Sequence, residues 1–293
     1  MVGRPGSRKT MLAKRLPPIL PLMKSHEGLE ATRVPSVAGQ VPADRALLSV
    51  RPFQAPHHSV SDAGRIAGGT IPRPGEVSLA HNGVLFLGES PEFRRPVWDR
   101  LRQLLEDGHV VLTRASGSLR YPARFIRVAA MNPCPCGYYG DPARDCLCTP
   151  QQIRRYRSRL SGPFQDRLDI HIEVPPVAVG ELHGKGSVPE HSEWIRDRML
   201  AARARPSHRS REEGIHTNVQ LKPRQRKRYC GLDGPTQSLL ERSKTKLALS
   251  ARAHERILHA ARTIAELASS DTIGPAHLAE AIQYRSLDRP TQV

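Results

Sequence analysis

The chain is short of aromatic residues. Phe, Trp and Tyr make up 4% of its 293 residues, which argues against the stacking platforms on which single strands of nucleic acid are laid. It lacks any apolar run long enough to span a bilayer, and it opens with no secretory leader pattern. The expected location is the cytoplasm, with no membrane partner. Internal repeats and low-complexity tracts are missing too. Acidic residues are scarce against basic ones: 28 Asp and Glu face 45 Lys and Arg, a net charge of +17. That balance suits a polyanionic partner, DNA or RNA. An arginine-rich solvated surface is the plainer reading of the same excess. With 38% hydrophobic and 25% charged residues, a packed soluble core is feasible, in one large domain or two modest ones.

Two further absences sit inside motifs. Gly3-Arg4-Pro5-Gly6-Ser7-Arg8-Lys9-Thr10 reads as a phosphate-binding loop with Arg8 where the pattern wants a second glycine before the lysine. Such loops aim backbone N–H groups at phosphate oxygens from a helix N-terminus. Gly3, Gly6 and Ser7 would shape the cradle, Lys9 would reach the β- and γ-phosphates, and Thr10 would hold magnesium. An arginine forced to positive φ costs about 1–2 kcal/mol, and its side chain must turn outward. Only Met1 and Val2 precede the loop, so most of a first strand is expected to be missing. Gly83-Val84-Leu85-Phe86-Leu87-Gly88-Glu89 reads as a Walker B strand with Gly88 in place of the magnesium-orienting aspartate and Glu89 retained.

The rest of the chain alternates between strand and helix signals. Short apolar runs predict buried strands at 83–87 and 125–131. The alternation of Leu168, Ile170, Ile172 and Val174 predicts a third strand with one wetter face. A short helix after the loop is expected to stop at Pro17 and Pro18. A helix is expected over Val97–Leu105, then a hairpin pairing 110–112 with 118–121 around 115–117. Residues 176–192 read as a linker, and 203–228 as a basic stretch. Ser250 is expected to cap a helix with Ala253, Ile257, Ala260, Ile264 and Leu267 inward, and Pro275 to open a last helix. The expected division is an α/β nucleotide-binding core over 1–175 and a basic helical domain over 193–293.

Three stretches carry a family resemblance beyond the two Walker-like motifs. They are Arg51-Pro52-Phe53-Gln54-Ala55-Pro56-His57-His58-Ser59, the run from Ile71 to Gly83, and Ala129-Ala130-Met131-Asn132-Pro133-Cys134-Pro135-Cys136-Gly137. The chain resembles the ComM/YifB family of AAA+ ATPases, relatives of the magnesium-chelatase I subunit, from residue 1 to about Arg289. The resemblance implies an AAA+ P-loop three-layer sandwich, here lacking most of its first strand, followed by a small all-helical lid. Other members carry an N-terminal domain and the first strand ahead of the loop. The cofactors implied are ATP and magnesium. The implied roles are Asn132 as sensor 1, Arg167 as a finger offered to a neighbour's nucleotide, and Arg252 as sensor 2 on the lid. A salt bridge from Arg167 to Asp166 or Asp169, and a plain surface place for Arg252, are the structural alternatives. The implied assembly is a ring, a hexamer in that family.

Cys134-x-Cys136 and Cys146-x-Cys148 are separated by nine residues. Four thiolates in two close pairs suit zinc, although a single spacer inside each pair is tight. Free thiols in a turn fit equally. Cys230 reads as a small core residue, and His57-His58 as structural or DNA-facing.

Three functions fit these observations. The first is what the resemblance implies, a DNA branch-migration helicase of natural transformation, with the 110–121 hairpin expected to touch DNA through Arg114 and Arg120. The second is a non-catalytic remnant that binds DNA or partner subunits, because Arg8, Gly88 and the missing strand all impair ATP turnover. The third is a magnesium-chelatase-like ATPase subunit.

Overall fold

The computed structural model describes residues 1–40, 47–59, 67–68, 73–114, 117–160, 162–176, 190–210, 215, 217–247 and 249–288. The chain divides into two compact units. One is Met1–Ser161 with Glu173–Ser192; the other is Gly162–Ile172 with Glu193–Val293. Most of the expected linker, residues 177–189, lies outside the described residues.

The first unit carries α1 (Lys9–Lys14), α2 (Leu16–Ile19), α3 (Ser25–Val37), β1 (Phe53–Gln54), β2 (Ala67–Gly68), β3 (Arg73–Pro74), α4 (Glu76–Leu79), β4 (Val84–Leu87), α5 (Arg95–Asp107), β5 (His109–Arg114), β6 (Gly117–Pro122), β7 (Ile126–Ala129) and α6 (Pro150–Arg157). Every residue of β4 is buried. It pairs in parallel with β1 on one side and β7 on the other, Val84 standing opposite both Phe53 and Ile126. An unbroken apolar run suits a strand covered on both faces. Phe86 packs with Ala13 of α1 and with Ala130.

Beyond β7 the sheet continues through a single residue. Val2 forms parallel bridges to Met131 and to Glu173. The spatial order is therefore β1, β4, β7, Val2, Glu173. Met131 N–H donates to Met1 O at 3.0 Å, Gly3 N–H to Met131 O at 3.2 Å, and Val174 N–H to Val2 O at 2.7 Å. Val2 thus pairs its backbone with both neighbours, and those polar groups are satisfied.

Three local expectations are corrected. Pro17 and Pro18 do not merely end a helix; they open α2, a second short one, where proline needs no N–H. Residues 168–174 do not form a strand beyond the bridge at Glu173. Their alternation runs the other way: Ile170 and Ile172 are exposed, while His171 and Val174 are buried. The hairpin is longer than expected, pairing His109 with Pro122 at its base and Arg114 with Gly117 at its tip.

The second unit is helical: α7 (Gly162–Gln165), α8 (Ser192–Ser210), α9 (Pro223–Tyr229), α10 (Gly234–Leu247), α11 (Ala251–Leu267) and α12 (Pro275–Gln283). Its core gathers Leu240, Ile257, Ala261, Ala265, Leu278 and Ala281. The Ser250 hydroxyl accepts the Ala253 N–H at 3.1 Å and caps α11 as expected. The buried stripe runs 253, 257, 261, 265 at four-residue steps, so Leu267 lies exposed rather than inward. Cys230 is buried in this core. Arg262 is buried and fully engaged: Glu266 takes its Nε at 3.0 Å, and the carbonyls of Asp271 and Ser270 take its two amino groups. A charge so placed is tolerated because each of its three nitrogens has a partner.

His171 fastens residues 162–172 to the end of α12. Its N–H donates to Tyr284 O at 2.8 Å, and its Nδ1 accepts the Leu287 N–H at 3.2 Å. Arg285 adds bonds to Leu168 O and to Asp288. Burial, reinforced by the Arg285 charge, pushes the imidazole down to about 3. The folded value lies below the unfolded one, so the unfolded chain binds the extra proton between these limits. Stability is then lost as pH falls from about 6.5 towards 3. Denaturant midpoints should show a loss of about 2 kcal/mol for this unit between pH 7 and pH 5. His171→Asn, which keeps an acceptor near the Nδ1 position, should flatten that slope.

Candidate nucleotide-binding site

The loop leaves the sheet at Gly3, where the chain has no room for a side chain. A Cβ there would stand 2.6 Å from Val174 O and 2.7 Å from Ser7 Oγ. Gly6 turns the chain at φ 79°. Arg8 then takes φ 58° and ψ 25° as the residue preceding α1, the left-handed conformation that a glycine would adopt freely. Its side chain is exposed, so it stays out of the loop. Ser7 is buried, and its N–H closes the turn onto Arg4 O at 3.2 Å.

Lys9 sits over this turn. Its ammonium donates to Gly3 O at 2.7 Å and Arg4 O at 2.9 Å, lies 3.4 Å from Ser7 Oγ, and donates to Asn132 Oδ1 at 3.2 Å. Burial holds the Lys9 ammonium below its ordinary lysine value, while the Glu89 carboxylate works in the opposite direction. Lys9 and Asn132, far apart in sequence, therefore meet at one point, with Glu89 close enough for its charge to act on the lysine. Thr10 lies exposed on the first turn of α1.

Glu89 follows β4 in a left-handed conformation, φ 51°. A non-glycine residue held there by its surroundings is a common mark of a working site. Its carboxylate pairs with His58 Nδ1 at 3.1 Å. His58 in turn packs edge-on to Phe93, ring centres 6.3 Å apart. Sequence reasoning did not connect His58 to Glu89, since nothing in their spacing links them. At position 88, a Cβ would lie 3.1 Å from Phe86 Cε1. An aspartate there needs only a small shift of one ring.

The other expected residues lie elsewhere. Arg167 belongs to the second unit, half-buried, its N–H donating to Phe164 O at 3.0 Å. Asp169, the alternative partner for it, pairs with Arg256. Arg252 is exposed on the first turn of α11, in that same unit. On the hairpin, Arg120 is exposed beside His109, 2.9 Å from its Nδ1. Arg114 stands opposite Gly117 at the hairpin tip, and its side chain lies outside the described residues. Arg51 is a clamp rather than a site residue: it bonds Pro21 O, Asn82 O and Glu27 together.

The four paired cysteines do converge. The sulfurs of Cys134, Cys136, Cys146 and Cys148 all lie within 4.8 Å of one another.

A replacement at Arg8 tests the loop. Arg8→Gly should relieve about 1–2 kcal/mol of backbone strain and give back about 0.5–1 kcal/mol to the freer unfolded chain. Thermal unfolding should therefore show a small net gain. Arg8→Val, branched at Cβ, should show a loss.

Comparison with known proteins covers nearly the whole chain. Residues 1–182 match the family model described as magnesium chelatase, subunit ChlI, and residues 189–285 match the model of its C-terminal part. The competence protein ComM of Haemophilus influenzae is 46% identical over 292 residues. The YifB proteins of Salmonella typhimurium and Escherichia coli K12 are 43% and 44% identical. In each case the match covers 99% of this chain and 56% of the relative, so the chain spans about half the length of the curated relatives it matches.

Proposed function

The chain belongs to the magnesium chelatase subunit ChlI family, and from that premise we propose that its first unit binds ATP at Gly3–Thr10 and turns it over slowly, within an assembly that works on DNA. The observation that carries this reading is the convergence of Lys9 and Asn132 at the loop, 3.2 Å apart, with Glu89 acting on Lys9. A basic group, a strand-end amide and a carboxylate at the mouth of a glycine turn are what phosphoryl transfer requires.

The residues divide the work. Loop amides and Ser7 hold phosphate oxygens, and Lys9 moves from its carbonyl partners to the outer phosphates. Asn132 orients the attacking water, and Glu89 takes its proton on leaving His58. Magnesium, when bound, spreads the charge that gathers on the transferring phosphate. Its donor set is one short here: Thr10 offers a hydroxyl, and position 88 offers no carboxylate. Arg167 is the group offered to a neighbouring copy in a ring, and Arg252 the lid's contact with nucleotide.

The DNA assignment rests on the net charge of +17, on the hairpin bearing Arg114 and Arg120, and on the relative whose name marks it as a competence protein. The same charge speaks against the chelatase reading. Gly88 favours a second reading, a subunit that binds nucleotide without hydrolysing it. Among the described residues no helix is long and apolar enough to cross a membrane.

Titration with a fluorescent ATP analogue separates these readings. The native chain should bind, and Lys9→Ala should weaken binding by about tenfold or more. Removing magnesium should weaken the native chain less than a Gly88→Asp variant, whose turnover should rise by about tenfold or more. No binding at all would overturn the proposal. Native turnover on the order of 1–10 per second would remove its slow-hydrolysis part. DNA affinity should fall steeply with salt, and Arg120→Glu should flatten that dependence.

A further inference from the structure

We infer that the four cysteines form a zinc knuckle whose task is to brace the phosphate loop. The loop's nucleotide role is the reading proposed above, and the brace deepens it.

The sulfur geometry suits the metal. Cys134 Sγ lies 3.3 Å from Cys136 Sγ and 3.6 Å from Cys146 Sγ, and Cys136 Sγ lies 3.6 Å from Cys146 Sγ. A tetrahedral zinc with Zn–S bonds of about 2.3 Å sets sulfur–sulfur edges of about 3.8 Å. Backbone donors are already aimed at these sulfurs. Gly137 and Tyr139 N–H groups donate to Cys134 Sγ at 3.2 and 3.3 Å, and Cys136 N–H donates to Cys148 Sγ at 3.3 Å. All four cysteines carry free thiols.

The segment between the cysteine pairs, residues 137–145, sits against the phosphate loop. Arg4 Nη1 donates to Asp141 Oδ2 at 3.0 Å, and the Asp141 side chain is 4% exposed. The other Asp141 oxygen accepts the Ala143 N–H at 2.8 Å, so this carboxylate is locked at both ends. Gly137, at φ 89°, presses on Pro5: a Cβ there would stand 2.5 Å from Pro5 Cδ. The loop thus touches residues 4 and 5, and its first cysteine lies two residues beyond Asn132. Zinc would pin both ends of this nine-residue segment, closing it where the chain alone must meet the ordering cost.

The test uses the full chain and zinc itself. Purified under reducing conditions, it should hold one zinc per chain, released by a thiol-specific mercurial and restored by adding zinc with excess thiol. Hydrogen exchange at the Gly3, Ser7 and Leu12 amides, each bonded within or beside the loop, should quicken by about tenfold on release. Amides in α11 should stay unchanged. Asp141→Asn should keep the zinc and still quicken exchange at the loop, which separates bracing from general unfolding. A chain that takes up no zinc would overturn the inference, as would zinc release that leaves loop exchange unaltered. If zinc binds and protects the loop while ATP fails to bind, the brace stands and the nucleotide reading falls.

Discussion

The site hangs on the seat of one residue. Val2 occupies the line between β7 and Glu173, and its neighbours supply the bonds that hold it: Met1 O to Met131 N–H, Gly3 N–H to Met131 O, and Val2 O to Val174 N–H. The terminal ammonium adds a bond to Ala129 O at 2.8 Å. These contacts decide where the loop begins. With Val2 bridged to Met131 and to Glu173, Gly3 emerges beside Asn132, and Lys9 reaches that amide after one tight turn. Each such bond contributes about 1 kcal/mol, and together they do the positioning.

Two replaced residues have unequal consequences within that frame. Arg8 keeps the backbone shape that a glycine would supply and carries a strain of about 1–2 kcal/mol. A domain with a net stability of about 5–15 kcal/mol can tolerate that, and the exposed guanidinium leaves the loop unobstructed. Gly88 bears little on shape, since a Cβ there would meet only the Phe86 ring. β4 ends at Leu87, and Glu89 lies exposed in its left-handed turn. What is lost is a carboxylate, and Asp141, which also stands by the loop, is already engaged with Arg4 and the Ala143 N–H. The first substitution is an energetic matter and the second a chemical one, which is why the fold survives both and turnover does not follow from the fold.

Much of this was legible from residue order. The apolar run before Gly88 announced a doubly covered strand, Ser250 announced its helix, and the loop announced an arginine at positive φ. The pairs of cysteines left a shared site and free thiols in a turn both open, and the sulfurs do converge. Other features were not legible. Leu168 to Val174 alternates like a strand, but His171 is the buried member, because its ring is held by the backbone of Leu287 rather than by a ladder. Leu267 matched a helical period that α11 does not use for its core, since four-residue steps carry the stripe past it. The link between His58 and Glu89 could not be read, for it depends on how the chain after β1 passes the end of β4. Periodicity reports which face of an element is apolar. It does not report which polar side chains from separate elements share a point.

The His58–Glu89 pair bears on how such a site changes state. Glu89 is largely exposed, and its partner is a histidine with a third of its side chain in solvent. Pairs of this kind are worth about 0–1 kcal/mol. Glu89 is therefore held to His58 by a contact that thermal motion can break, while its backbone is fixed by the left-handed turn. Lys9 is bound more firmly, by two carbonyls and an amide. Of these two charged groups, the carboxylate is the easier to free and the ammonium the harder. Entry of a polyanion supplies what Lys9 needs, since a phosphate oxygen is a stronger partner for an ammonium than a neutral carbonyl. On the nucleotide reading proposed above, those strengths set an order: phosphate would draw Lys9 out of the turn first, and Asn132, freed by the same movement, would be available to orient water only with nucleotide in place.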